Sequence, residues 1–402
     1  MIFQTLDNKQ ECVGIYANGE LIFSDESFPD NLKHTWSHAP YLDSLDVEYV
    51  SLYLEGRPVK DYIPEFLRDD WRDSLDQINA FNRSLSLAQV NMKENCFYDL
   101  VPTRFLMDYC EVKNRITSHI LKTVPRPQRY KFYHHVSSLL GSISERSISI
   151  DHKKLQSFSA LPKYKNIVQA ISQPQQRVSY NQFGTRTGRL TTEKGSFPIL
   201  TLPSALRSCV TPTNDVYVEL DFNGAEIRTL LGIMEKPQPE EDVHLFHQNE
   251  IFDNSLTREQ AKVAFFGWLY GSKKAVDRDQ SEKLMKFYDK DKILDPFYDG
   301  TTLRTPFGKQ IENVTDHHAI NYLVQSSAAE LLLKQAVKIN HYLKANSGSF
   351  ISFLIHDSII LDMKKEDIPL LNDVKKLMKT TDFGVYKINS SWGRNLGEKN
   401  AF

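Results

Sequence analysis

The sequence predicts an α+β protein of two or more lobes, and three observations carry that prediction. A chain of 402 residues is longer than one ordinary hydrophobic core organises. Its second half alternates strand-like and helix-like text without the regular rhythm of a doubly wound sheet, which points to an antiparallel sheet backed by helices. Charge also divides along the chain. Residues 1–100 hold 8 Lys and Arg against 18 Asp and Glu, a net of −10, while residues 101–210 hold 17 against 5, a net of +12. This fits a polyanion-binding region beside a lobe that repels the same polyanion, and equally two oppositely charged lobes that dock on each other.

The apolar share of 41% and charged share of 25% are those of an ordinary globular protein, so a disordered chain is excluded. Cys12, Cys96, Cys110 and Cys209 are scattered without CxxC spacing, which argues against a zinc site or a disulfide framework and fits a reducing compartment. The start, MIFQTLDNKQE, lacks the features of a signal peptide, and no apolar run is long enough to span a bilayer. A soluble, cytoplasmic protein with no membrane partner is expected.

Along the chain, CVGIYA, ELIF and YVSLYLEG (residues 49–56) read as strands, followed by acidic helical text around DYIPEFLRDDW. From Cys96 to Leu155 the pattern is mostly helical, with an apolar stripe in FLMDYCEVKNRITSHIL. Basic and aromatic residues interleave in RPQRYKFYHH (126–135), which suits either a phosphate backbone or a solvated helix face. Then VYVELDF (216–222) reads as a strand and AEIRTLLGI (225–233) as a helix. LTREQAKVAFFGWLYG (256–271) and AINYLVQSSAAELLLKQAVKI (319–339) read as helices, and FLIHDSIILDM (353–363) as a β-hairpin with His356, Asp357 and Ser358 at its turn.

A carboxylate inside an apolar hairpin is costly unless something pairs with it. Asp357 is either a turn-bonding residue or half of a metal site, and Asp221, at the end of VYVELDF, is the second half if the two strands are neighbours. Such a pair could share divalent cations that activate a hydroxyl and stabilise a leaving oxygen in phosphoryl transfer, a task that suits Mg2+. In the 256–271 helix, Arg258, Lys262, Phe266 and Tyr270 recur every four residues and form one slanted stripe. The basic pair could grip a triphosphate and the aromatics stack on a base, or the stripe is exposed charge with a buried aromatic end. Thr257 fits an N-cap, which puts the basic pair where the helix dipole disfavours it and an anion would relieve the conflict.

These stretches resemble, in order, the polymerase core of family A DNA polymerases, the class of bacterial DNA polymerase I and many phage replicases. VSYNQFGTRTGRLTT is similar to the T-x-TGRLSS segment, VELDFNGAEIR to motif A (DYSQIELR), and EDVHLF to the D-x-H segment. REQAKVAFFGWLYG is similar to motif B (RxxxKxxxFxxxYG), AINYLVQSSAAELL to the A-x-N-xx-x-Q-G-x-AAD helix, and FLIHDSI to motif C (VHDE). The matches cover roughly residues 176–365; the preceding helical region resembles the thumb more loosely.

The resemblance implies a right-hand fold: residues 1–85 a reduced exonuclease-like or docking module, 86–175 the thumb, 176–235 and 301–402 the palm, and 236–300 the fingers. It implies that Asp221 and Asp357 bind two Mg2+ ions, with Mn2+ as a substitute. Arg258 and Lys262, assisted by His244, would hold the dNTP triphosphate, Phe266 would stack on its base and sugar, and Tyr270 would lie against the template base. Glu226 and the neighbouring Phe222 would exclude a ribose 2′-OH. Arg189 would reach the primer terminus beside Thr187, Asn321 and Gln325 would track the minor groove, and His356 and Gly271 complete the DNA-binding set. Residue by residue, Asn223-x-x-Glu226 also fits a capping box, and His244-x-x-His247 near Asp242 fits either a metal site or a phosphate contact from His244.

The chain departs from the family at Ser358 (usually Glu), Phe222 (Tyr), Gly224 (Gln) and Ser326 (Gly), and its fingers text is shorter. Asp46 to Glu48 superficially suits a first exonuclease motif, but no second or third follows. The expected function is a DNA-templated DNA polymerase acting on primer-template DNA without its own proofreading, of phage or mobile-element type and then working in the host cytoplasm. A separate exonuclease, helicase or processivity factor would dock on the acidic N-terminal module. The rivals are a single-subunit RNA polymerase and a non-catalytic DNA-binding subunit.

Overall fold

The computed structural model describes residues 3–6, 14–23, 32–36, 38, 42, 47–92, 95–173, 176–271 and 276–401; Cys12 and Asp46 lie outside them. The chain divides into two compact units, Met1–Glu145 and Arg146–Phe402.

In the first unit, β1 (Phe3–Thr5), β2 (Gly14–Ala17) and β3 (Glu20–Phe23) form an antiparallel sheet in chain order. The strand expected at YVSLYLEG is not formed: Glu48–Tyr49 pairs with His34–Thr35, and the chain turns helical at Val50–Tyr53. Val50, Leu52 and Tyr53 are all buried, and that one-sided burial overrides their strand preference. Three longer helices follow: α1 (Arg68–Leu87), α2 (Thr103–Thr123) and α3 (Tyr130–Ser144). The stripe read in α2 is its buried face, with Phe105, Tyr109, Ile116 and Ile120 turned inward. In RPQRYKFYHH, Arg126 lies over the Tyr130 ring and pairs with Glu48, while Arg129 lies over Phe132 and Tyr133. These two guanidiniums are engaged within their own unit.

The second unit is built on five strands: β4 (Val216–Phe222), β5 (Phe350–Ile355), β6 (Ser358–Met363), β7 (Ile388–Gly393) and β8 (Asn400–Ala401). Their order is β5-β6-β4-β7-β8 and every pairing is antiparallel. All six residues of β6 are buried, and on β4 only Glu219 and Asp221 are less than fully covered. Strand side chains alternate, so these two carboxylates share one face at the open end of the sheet. The hairpin turn is His356-Asp357, with His356 in the left-handed backbone region (φ 53°) and Ser358 already paired with Ile355. Ser358 therefore belongs to the strand and not, as the sequence suggested, to the turn.

After β4 come α4 (Ala225–Ile233), α5 (Val243–Phe246), α6 (Arg258–Leu269), α7 (Arg278–Phe287) and the 31-residue α8 (Asp316–Asn346). Their apolar faces meet in one core through Leu230, Val243, Phe265, Trp268, Leu284 and Leu323. This core fixes α6 beside the end of β4. Cys96, Cys110 and Cys209 are buried, and among the described residues no helix is long and apolar enough to cross a membrane.

Candidate active site

Asp221 on β4 stands directly opposite Ser358 on β6, and the Phe222 amide donates to the Asp357 carbonyl (3.4 Å). Two aspartates 136 positions apart thereby meet at one sheet end. The Ser358 hydroxyl donates to Asp221 Oδ1 (2.8 Å) and lies 3.2 Å from Glu219 Oε1, while Lys399 pairs with Glu219. Burial pushes the Asp357 carboxyl up to about 6, Glu226 and Asp221 add to the rise, and Arg189 opposes it. Burial likewise raises Asp221, with Glu219 adding and Ser358 and Asn389 opposing. Both carboxylates thus resist ionisation in the bare protein, and a divalent cation would relieve both. Among the described residues no group of three or more His, Cys, Asp and Glu side chains is arranged to hold a metal. The two aspartates could hold a hard cation such as Mg2+ if water or substrate oxygens filled its other positions, an arrangement that does not suit zinc.

Glu226 is buried in the first turn of α4, but the capping box expected with Asn223 is absent. The cap position falls to Gly224, in left-handed backbone (φ 68°), where an added Cβ would sit 2.3 Å from Val243 Cγ1. That accounts for Gly224 in the slot the resemblance fills with Gln. Glu226 instead accepts from Arg189 and from the Tyr270 hydroxyl, so three of the expected site residues form one cluster. Gln325 also reaches that hydroxyl, and burial, then Glu226, raises the phenol. Phe222 is buried with its ring against Tyr386.

On α6 the Thr257 cap is present as a full capping box with Gln260. Arg258 donates through Nε (3.2 Å) and Nη2 (2.8 Å) to Asp242, and Lys262 is exposed. Phe266 and Tyr270 stack on each other with centroids 5.8 Å apart, as the four-residue stripe requires. Against burial that would raise it, hydrogen bonds from Arg258, Asn223 and the His244 and Leu245 amides hold the Asp242 carboxyl far below the usual range. His244 is buried 6.2 Å from the Phe266 ring, and burial, with Arg258 and Lys262 adding, brings it down to about 4. It is a neutral ring at pH 7. The two histidines do not form a metal site: His247 is fully buried, with Nε2 2.6 Å from the Tyr288 hydroxyl.

Thr187 and Arg189 lie in a loop tied to α8 by the Ser326 hydroxyl, which donates to the Thr187 carbonyl (2.7 Å). Asn321 and Gln325 stand one turn apart on that helix, and the Asn321 Oδ1 is buried without a partner. Gly271 ends α6 at φ 75°, where a Cβ would come within 2.9 Å of His317. His356 is exposed at the hairpin tip. Sequence reasoning missed four members of this constellation: Glu219, Asn223, Arg228 and Asp242 as the partner of Arg258. Glu219, two residues before Asp221 on an alternating strand, and Arg228, the last residue of the motif A match, carried legible signals; the other two depend on a loop's path.

No protein-family profile and no curated protein matches the chain. Among solved structures it is similar to the POL domain of Pol1 from M. smegmatis in complex with DNA primer-template and dNTP. The TM-score is 0.69 at 12% identity, over 98% of this chain and 95% of that one. The chain has the fold of a DNA polymerase domain. The α+β polymerase fold class expected from the sequence is thereby borne out. Within this polymerase fold, Asp221, Glu226, Arg258, Tyr270 and Asp357 belong to one unit and to adjoining elements.

Proposed function

We propose that the chain is a DNA-templated DNA polymerase that adds deoxynucleotides to a primer 3′ end. One observation carries this: motifs far apart in sequence bring Asp221 and Asp357 to one sheet end, beside a helix that presents Arg258 and Lys262. Residues 176–235 and 301–402 serve as palm, 236–300 as fingers and 86–175 as thumb. The activity, the family A assignment and the phage-like character are part of the same proposal.

Asp221 and Asp357 would hold two divalent ions, Mg2+ with Mn2+ as substitute, which when bound activate the 3′-hydroxyl and stabilise the leaving pyrophosphate oxygen. The protein's own share is positioning and fixed charge. Arg258 and Lys262 hold the triphosphate; Arg258 gives up its exposed partner Glu259 while Asp242 keeps its fork oriented. His244, neutral, donates a ring N–H to a phosphate oxygen. Phe266 offers its face to the base and Tyr270 closes the template side. Glu226, fixed by Tyr270 and Arg189, fills the space a 2′-OH would need. Arg189, Thr187, Asn321, Gln325, Gly271 and His356 line the duplex. The partners are primer-template DNA and dNTPs, and the compartment is intracellular. Residues 1–85, with their excess of acid, suit docking of a separate exonuclease, helicase or processivity factor better than DNA.

The test is primer extension with Mg2+, comparing dNTPs with rNTPs and the wild type with Asp357→Asn. Extension by dNTPs alone, reduced on the order of a hundredfold or more by the substitution, is the expected result. Extension by rNTPs would favour an RNA polymerase, and binding of primer-template without extension would favour a non-catalytic subunit.

A further inference from the structure

Asn223 follows directly on the end of β4, two residues after Asp221, and is 5% exposed. Every polar group it has is used. Its amide donates to the Lys387 carbonyl (3.0 Å), its carbonyl accepts from Arg228 Nε (2.7 Å), and its Oδ1 accepts from the Val243 amide (2.9 Å) and Arg228 Nη2 (3.3 Å). Its Nδ2 donates to Asp242 Oδ2 (2.8 Å), the oxygen that takes Arg258 Nη2. Arg228 is fully buried; it donates also to the carbonyls of Pro239 (2.8 Å) and Glu241 (2.8 Å). The segment from Pro239 to His244 is therefore bolted to the same strand end that carries Asp221.

We infer that Asn223 is a positioning residue that sets the Arg258 guanidinium, through Asp242, at a fixed distance from the Asp221 carboxylate. Reaction at a phosphorus atom requires the triphosphate grip and the carboxylate pair to be in mutual register, and small displacements there are costly. The strand end and α6 have no covalent connection shorter than the 35 residues between Phe222 and Arg258. A side-chain strut shortens that link to one amide and one carboxylate. The motif A resemblance puts a serine at this position, whose shorter side chain cannot bond the Val243 amide, Arg228 and Asp242 together. The strut is thus a property of this chain, and it rests on the polymerase reading above.

The test is a double-mutant cycle on the full chain with Asn223→Ala, Arg258→Ala and the double variant, measuring dNTP KM and kcat and, separately, the primer-template Kd. Asn223→Ala is expected to raise the dNTP KM roughly tenfold, the size of one hydrogen bond to a charged group. The primer-template Kd stays within about twofold of wild type. In the Arg258→Ala background the same substitution adds nothing further. Additive effects in the cycle, or an equal loss of primer-template affinity, would overturn the inference and leave Asn223 a structural cap. Should Asn223→Ala not fold, Asn223→Asp keeps the size and one acceptor but turns a second carboxylate oxygen toward Asp242. The same cycle applies, with a larger rise in KM expected and additivity again overturning the inference. A wild type that incorporates no dNTP overturns the polymerase reading instead.

Discussion

Glu226 has two partners, Arg189 and the Tyr270 hydroxyl, and neither is near it in sequence. A carboxylate held on both sides makes a rigid wall, so Glu226→Ala should raise rNTP incorporation relative to dNTP by roughly 10–100-fold, a discrimination typical of a polar group meeting a hydroxyl. Tyr270→Phe, which removes one restraint and leaves the carboxylate, should raise it less; competition assays with paired dNTP and rNTP measure both. His247 makes a separate prediction, about stability. Burial, with a smaller push from His244, lowers it to about 3 from an unfolded value near 6.5. Between those values the unfolded chain binds a proton that the folded chain refuses, so stability falls as pH drops from 6.5 toward 3. His247→Gln keeps a hydrogen-bonding group for Tyr288 and removes this titration. The stability difference between wild type and variant should therefore shift toward the variant as pH falls through that window, read by urea unfolding at several pH values. At this scale the sequence singled out candidate side chains but not what holds them. Asn223-x-x-Glu226 spells a capping box locally, yet Asn223 is taken by Arg228, the Val243 amide and Asp242. Nonlocal partners outcompeted the local one.

Among the elements, β4 and α4 have the bounds their alternation and helical period gave them, Val216–Phe222 and Ala225–Ile233. Helix α6 starts at its signalled cap, because a capping box is a contact between residues three apart and is legible without any fold. Thr257→Ala should cost about 1 kcal/mol, seen as a fall in Tm. Because it frays the turn that carries Arg258, the dNTP KM should rise while primer-template affinity holds. The segment YVSLYLEG went the other way: a β-branched and aromatic run became a short helix because Val50, Leu52 and Tyr53 had a core to enter on one side only. Strand preference is a statement about packing surroundings, and surroundings are not in the local text.

For the whole molecule, the proposal that proofreading is lacking predicts that a 5′-labelled primer-template incubated with Mg2+ and no dNTP keeps its full length over the time in which extension goes to completion. Shortening of the primer would show an exonuclease in this chain. The sequence by itself determined the mixed α+β class, the helices α4, α6 and α8 and the strands β4 to β6 of the second unit, but not β7, β8 or α7. Those follow from short-range regularities: alternation with period two, helical period 3.6, caps three residues long. Only the tertiary structure decided that β4 lies between β6 and β7, so that Asp221 faces Ser358 and Asp357 follows at the turn. Only the tertiary structure, too, decided that Asn223, held by the buried Arg228, reaches Arg258 by way of Asp242. Strand order and loop paths are set by which faces can be buried together and which buried polar groups can be satisfied, sums over the whole chain that no window of it contains.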